Sequence, residues 1–212
     1  MKVEVYIPDT LSEITLGQYQ KYLKIQENNE DENFLAIKMI EIFCGLRGDT
    51  IMAMKANSIK DITLILTEMF NEKPQLVKEF KMGGRNYGFV PKLEDMTFGE
   101  YIDLDNYLPK WETMHNAMGV LYRPLKSKNG DKYTIEDYKL SEGIDTPLDV
   151  ALSANFFLQN LLKDLLSYIP NSIKSIVQQE LKSGTLDVNG DGINQSMESL
   201  KEICLDLRMS LN

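Results

Sequence analysis

Residues Asp187 to Glu198, "DVNGDGINQSME", carry the acidic and amide spacing D-x-[DN]-x-[DN]-G-x5-E of an EF-hand calcium loop. Asp187, Asn189 and Asp191 can converge oxygens on one ion, and Gly192 supplies the sharp turn. The backbone carbonyl of Ile193 then faces the ion, Gln195 contributes directly or through water, and Glu198 closes the shell with both oxygens. Helical patterns flank the loop on both sides, so Ca2+ is the ion this set would hold. Two features depart from the pattern. The eighth position, usually aliphatic, is Asn194, and the aliphatic Ile193 stands one place early. A second loop is also missing: "SKNGDKYTIE", Ser127 to Glu136, shares Asn-Gly-Asp but lacks the first aspartate and the central glycine. The same letters make ordinary Asn-Gly and Asp-Gly turns, with Ser196 able to cap the last helix, so both readings stand at this point.

Other reactive side chains are sparse. His115 is the single histidine, four residues after Trp111 and close to Met114 and Met118, which is the spacing of a core residue on a helix. No nucleophile in its local sequence completes a Ser-His-Asp or Cys-His arrangement. Glycine patterns for phosphate or dinucleotide binding do not occur, and the carboxylates single out no catalytic pair. "RGD" at Arg47 to Asp49 is a chance tripeptide ahead of a helix. The expectation is a protein that is not an enzyme and requires no cofactor. Eleven methionines and ten tyrosines serve either as core filler or as adaptable contact faces.

A net charge of −9 lacks the basic footprint that nucleic acid or an anionic membrane attracts, so neither is expected as a partner. Cys44 and Cys204 make neither a disulfide framework nor a metal site and read as buried thiols in a reducing compartment. The opening "MKVEVYIPDT" has no apolar stretch of signal-peptide length, and "FFLQNLLKDLLSYI" is broken by four polar residues. These features predict a soluble, intracellular, acidic protein.

The elements that would position these residues are mostly helices. Val3 to Pro8 alternates like a strand. Helical patterns follow over "LGQYQKYLKI", "NFLAIKMIEIFC" to Gly45, and the short "DTIMAMKAN". Ser58 and Asp61 suggest a capping box for "SIKDITLILTEMF", whose apolar face is Ile59, Ile62, Ile65, Leu66 and Met69. The period then changes: Phe80 and Met82 alternate before Gly83-Gly84, and Tyr87 and Phe89 after it, a hairpin. Two helices, "FGEYIDLDNYL" and "WETMHNAMGVLY", lead to a looser hairpin around Asn129-Gly130. Thr146 caps a long helix with Pro147 at its first position, running to about Tyr168. "SIKSIVQQELK" and a final amphipathic helix with Met197, Leu200, Ile203 and Leu207 complete the chain. The fold class expected is mainly α with small β-hairpins (α+β). The segments fall at 1–74, 75–140 and 141–212, or join as one continuous domain.

One phrase is written twice. "ITLGQY" at Ile14 to Tyr19 is echoed by "MTFGEY" at Met96 to Tyr101, each after a proline-ended strand pattern. Thr15 and Thr97 read as N-caps with Gln18 and Glu100 three residues on, a capping box in each case. Ile14 with Tyr19, and Met96 with Tyr101, are spaced as hydrophobic staples. This is a repeated strand–loop–capped-helix unit. Gly17 and Gly99 occupy the first helical turn, where glycine costs about 0.5–1 kcal/mol relative to alanine. The bland explanation is another backbone packed closely against them; the sharper one, an anion at bare amides, lacks the nearby Lys or Arg cluster.

The block "TFGEYIDLDNYLPKWETMHNAMGVLYRPL…NGDKYTIEDY", Thr97 to Tyr138, resembles proteins of tailed bacteriophages of Bacteroidetes, including relatives of the crAss-like phages. Gly99, Glu100, Tyr101, Asp103, Trp111, His115, Met118, Leu121 to Pro124 and Tyr133 to Tyr138 carry the likeness, and "ITLGQYQKYLKI" fits the same group. The resemblance implies a virion or tail-assembly context and transfers no catalytic residue. It implies other phage proteins as partners (portal, ring, tail or tape-measure-like) and leaves room for a homo-oligomer. Assembly would take place in the host cytoplasm. The leading expectation is a non-enzymatic virion-associated structural protein: a neck, ring, tail-associated or cargo component. A tail-assembly chaperone for a tape-measure-like protein is the alternative, and a calcium-responsive binding module the third.

Overall fold

The structure is a computed structural model that describes residues 5–139 and 143–168, with side chains as far as Leu161. Met1–Gln159 forms one compact unit and Asn160–Asn212 a second. The described part of the first unit is mainly helical with a four-stranded antiparallel sheet, as the sequence pattern requires.

Four helices come first: α1 (Leu16–Glu27), α2 (Glu32–Phe43), α3 (Gly48–Met52) and α4 (Ala56–Phe70). Asp31 caps α2 by accepting the amides of Asn33 and Phe34, and Gly45, at φ 67°, turns the chain after it. Helix α4 begins before the Ser58–Asp61 box expected for it. Lys55 is its N-cap in extended conformation, without a side-chain cap, and Ser58 lies inside the helix. The carbonyl of Lys55 accepts the Ile59 amide, so the extra residues are wound into the first turn. Ile62, Leu66 and Met69 are buried on its inner face, whereas Ile65 is 44% exposed.

The two expected hairpins join into one sheet. Strands β1 (Glu79–Met82) and β2 (Arg85–Phe89) turn at Gly83-Gly84, whose φ values of 56° and 78° match a two-residue hairpin turn. Strands β3 (Tyr122–Asn129) and β4 (Lys132–Ile135) turn at Gly130, and β2 pairs antiparallel with β3 to give the order β1-β2-β3-β4. Between β2 and β3 lie α5 (Phe98–Tyr107) and α6 (Met114–Leu121), the latter entered through a 3-10 turn at Trp111–Thr113. Gly88 permits the β2–β3 pairing, since a Cβ there would stand 2.6 Å from both Leu125 and Tyr133.

The first half of the repeated unit differs from its expectation. Val5 to Pro8 form no sheet ladder, and only the later copy follows a paired strand. What does repeat is longer at the helix end. A 3-10 turn, Leu11–Glu13 or Leu93–Asp95, precedes each capped helix, so "LSEITLGQY" and "LEDMTFGEY" match position by position. Both capping boxes are formed. The Gln18 amide donates to Thr15 Oγ1 at 3.2 Å and the Thr15 amide to Gln18 Oε1 at 2.9 Å. The Glu100 amide donates to Thr97 Oγ1 at 3.3 Å and the Thr97 amide to Glu100 Oε2 at 2.6 Å.

Helix α7 (Leu148–Tyr168) starts one residue later than expected. Pro147 stands outside it because it bridges Thr15 in an antiparallel β-contact. The Leu16 amide donates to the Thr146 carbonyl and the Leu148 amide to the Ile14 carbonyl, each at 2.8 Å. Two helix starts thus meet backbone to backbone, with Ile14, Leu16 and Leu148 buried between them. The core extends from this junction through Ile40, Leu66, Met114, Met118 and Leu121.

Candidate interaction surface

The six residues proposed for calcium, Asp187, Asn189, Asp191, Ile193, Gln195 and Glu198, lie outside the described residues. So do Cys204 and the two helices expected after Pro170. Cys44 is half-buried, and burial pushes its thiol up to about 11.

Within the block Thr97 to Tyr138, Glu100, Asp103, Arg123 and Tyr138 form one polar network around the buried Glu100 and Arg123. Glu100, 7% exposed, closes the second capping box and also meets Arg123, 8% exposed, with Oε1 2.6 Å from the guanidinium. Arg123 Nε donates to the Val120 carbonyl at 3.2 Å, and the guanidinium lies 5.6 Å from the centre of the Tyr138 ring. The Tyr138 hydroxyl donates to Asp103 Oδ2 at 2.8 Å, closing the circuit on α5. Burial alone would push the Glu100 carboxyl up. The Thr97 amide and hydroxyl, together with Arg123, outweigh it and hold the group below the ordinary carboxylate range. Tyr138 is pushed up, first by burial and then by its bond to Asp103. This network ties α5 to the start of β3 and to the segment after β4.

His115 and Trp111 both contact α1. His115 Nδ1 lies 3.1 Å from Gln20 Nε2, and Tyr19 meets the Trp111 ring edge-on at 5.2 Å between centres. Tyr133 donates to the Phe89 carbonyl at the end of β2 at 2.8 Å, and Tyr122 to the Val77 carbonyl just before β1 at 2.7 Å.

A separate concavity lies between α2, α3 and α4. It is an open groove of about 800 Å³ with Tyr22, Ile37, Met39, Met54 and Ile59 along it and Glu32 and Lys60 among its polar positions. Met52, on its lining, is 72% exposed, and α4 also leaves Leu64 54% exposed. Of the groove's methionines, Met39 and Met54 are half-buried against the core, and only Met52 is exposed. The sequence signal was the run "IMAMK", where methionine recurs without helical spacing. Arg123 as a buried cation was not foreseen either; its position just after the apolar run "MGVLY" was the available cue.

Among the described residues, no helix is long and apolar enough to cross a membrane. No family model matches the chain, and neither a curated protein nor a solved structure matches it.

Proposed function

We propose that this protein acts without catalysis, as a virion-associated structural component of a tailed phage, working through contacts with other phage proteins. The observation that carries the contact reading is the open methionine-lined groove on α2, α3 and α4, with Met52 72% exposed. Unbranched, polarizable methionines adapt to apolar side chains of more than one shape, which suits a surface that receives another protein's helix or loop. The phage setting rests on the likeness of Thr97 to Tyr138, the block that holds the Glu100–Arg123–Tyr138 network. Its place would be a neck, ring, tail-associated or cargo position. The groove also suits the tail-assembly chaperone, whose tape-measure-like client would present an apolar helix to it.

Quantitative mass spectrometry of purified particles from the encoding phage separates these two. A fixed number of copies per particle is the expected result. Absence from particles, with abundance in infected cells, would overturn the virion assignment in favour of the chaperone. Met52→Asp should abolish recruitment to particles while leaving the melting temperature unchanged.

A further inference from the structure

Helix α4 buries Ile62, Leu66 and Met69 on its inner side and carries a different pattern on its outer one. Leu64 stands in the middle of the outer side and is 54% exposed. At about 100° per residue, Lys60 and Glu68 lie about 40° to either side of it, one turn back and one turn on. Both are exposed, and among the described residues neither enters an ion pair. Asn57 and Asn71, two turns away in each direction, are exposed on nearly the same line. The series Asn57, Lys60, Leu64, Glu68, Asn71 is therefore evenly spaced about Leu64, with opposite charge at matching positions. A lone exposed leucine is ordinary. A leucine flanked at equal distance by opposite charges is what a self-complementary contact requires.

Two copies of α4 meeting at Leu64 under a two-fold axis run either parallel or antiparallel, and the charges choose between them. Parallel packing sets Lys60 beside the partner's Lys60 and Glu68 beside the partner's Glu68, which repel. Antiparallel packing, with the axis crossing at Leu64, brings Lys60 level with the partner's Glu68 and repeats the pair one turn to the other side. Asn57 then comes level with the partner's Asn71, where the two amides can exchange a hydrogen bond. Asp61 and Thr67 lie about 60° from Leu64, on opposite edges of the contact and open to water, which screens the aspartate.

We propose that the outer face of α4 is an interface between two copies of this chain, packed antiparallel across Leu64 and held in register by Lys60 and the partner's Glu68. The contact is isologous, so it closes at two copies. One pair of helices is at the small end of specific interfaces, and the dimer is accordingly a weak one that forms at high protein concentration. Lys60 also borders the groove of α2, α3 and α4, whereas Met52 takes no part in the dimer. The dimer does not depend on the phage setting.

The test is the oligomeric state of the full-length protein by analytical ultracentrifugation from about 10 μM to about 1 mM. The wild type should pass from monomer to dimer, and Met52→Asp should do the same. Leu64→Asp, Lys60→Glu and Glu68→Lys should each weaken association by roughly tenfold or more, with the melting temperature unchanged because all three side chains are exposed. The double variant Lys60→Glu with Glu68→Lys exchanges the charges in both copies and should dimerise as the wild type does. An equimolar mixture of the two single charge variants should form heterodimers, since all four charges then meet their opposites. A wild type that stays monomeric throughout, single charge variants that associate as the wild type does, or a double variant that remains monomeric would each overturn the proposal. Particle mass spectrometry is read separately, so a protein absent from particles that still dimerises fails the virion reading alone.

Discussion

Single side chains here are constrained by what stands within a few ångströms of them. Gly17→Ala drives a methyl into Ile144, whose backbone is held by the bridge at Thr15 and Pro147, and should cost about 1–3 kcal/mol in chemical unfolding. Gly99→Ala meets no described atom and should leave stability unchanged or raise it by about 0.5–1 kcal/mol. Asp149 gives a second residue-level test. Its Oδ1 is buried without a hydrogen-bond partner among the described residues, and burial pushes its carboxyl up despite the backbone amides it accepts. A carboxyl raised in the folded state destabilises the fold wherever it is forced to ionise, that is, as pH rises through its folded value. Asp149→Asn should therefore raise the melting temperature at neutral pH, and the gain should shrink as pH falls through the carboxylate range.

Between elements, the ion pair of Glu100 and Arg123 fastens α5 to β3, and both groups are nearly out of water. Removing one partner leaves the other charge buried and unpaired, so Arg123→Ala should lose about 3–5 kcal/mol, far more than an exposed pair such as Arg47 with Asp49. A urea titration of the two variants, Arg123→Ala and Arg47→Ala, makes the comparison. The calcium reading of Asp187 to Glu198 is decided at the same scale. Calorimetric titration into the millimolar range should show binding that Asp187→Ala with Glu198→Ala removes, and a flat titration of the wild type would end that reading.

Across the whole molecule, pH acts through the sum of such groups, and the described carboxyls with resolved shifts oppose one another. Glu100 is held below its ordinary value, so its contribution is present above the unfolded value and disappears as pH falls through the folded one. Asp105, raised by burial, acts in the opposite sense, as Asp149 does. Acid unfolding should therefore begin where Glu100 protonates. Glu100→Gln should lower the melting temperature at neutral pH and flatten its fall toward acid, which a series of thermal melts would show.

Local rules made much of this protein legible. Thr15 with Gln18 and Thr97 with Glu100 are capping boxes because an N-cap and its third neighbour interact within one turn, with no distant residue needed. Gly83-Gly84 set the hairpin for the same reason: positive φ is a property of those residues. The mainly helical α+β class followed from periodicity. Other outcomes depended on partners far along the chain. Pro147 is extended because Thr15 pairs with it, and the two hairpins became one sheet because β2 met β3 across the α5–α6 insertion. Arg123 is buried because Glu100 is there to receive it. The reason for Gly17 sits at Ile144, more than a hundred residues away. Sequence by itself determined caps, turns and periods, whose energies close within a few residues; only the tertiary structure decided which edges meet, because that depends on which distant surfaces exclude water and pair their amides together.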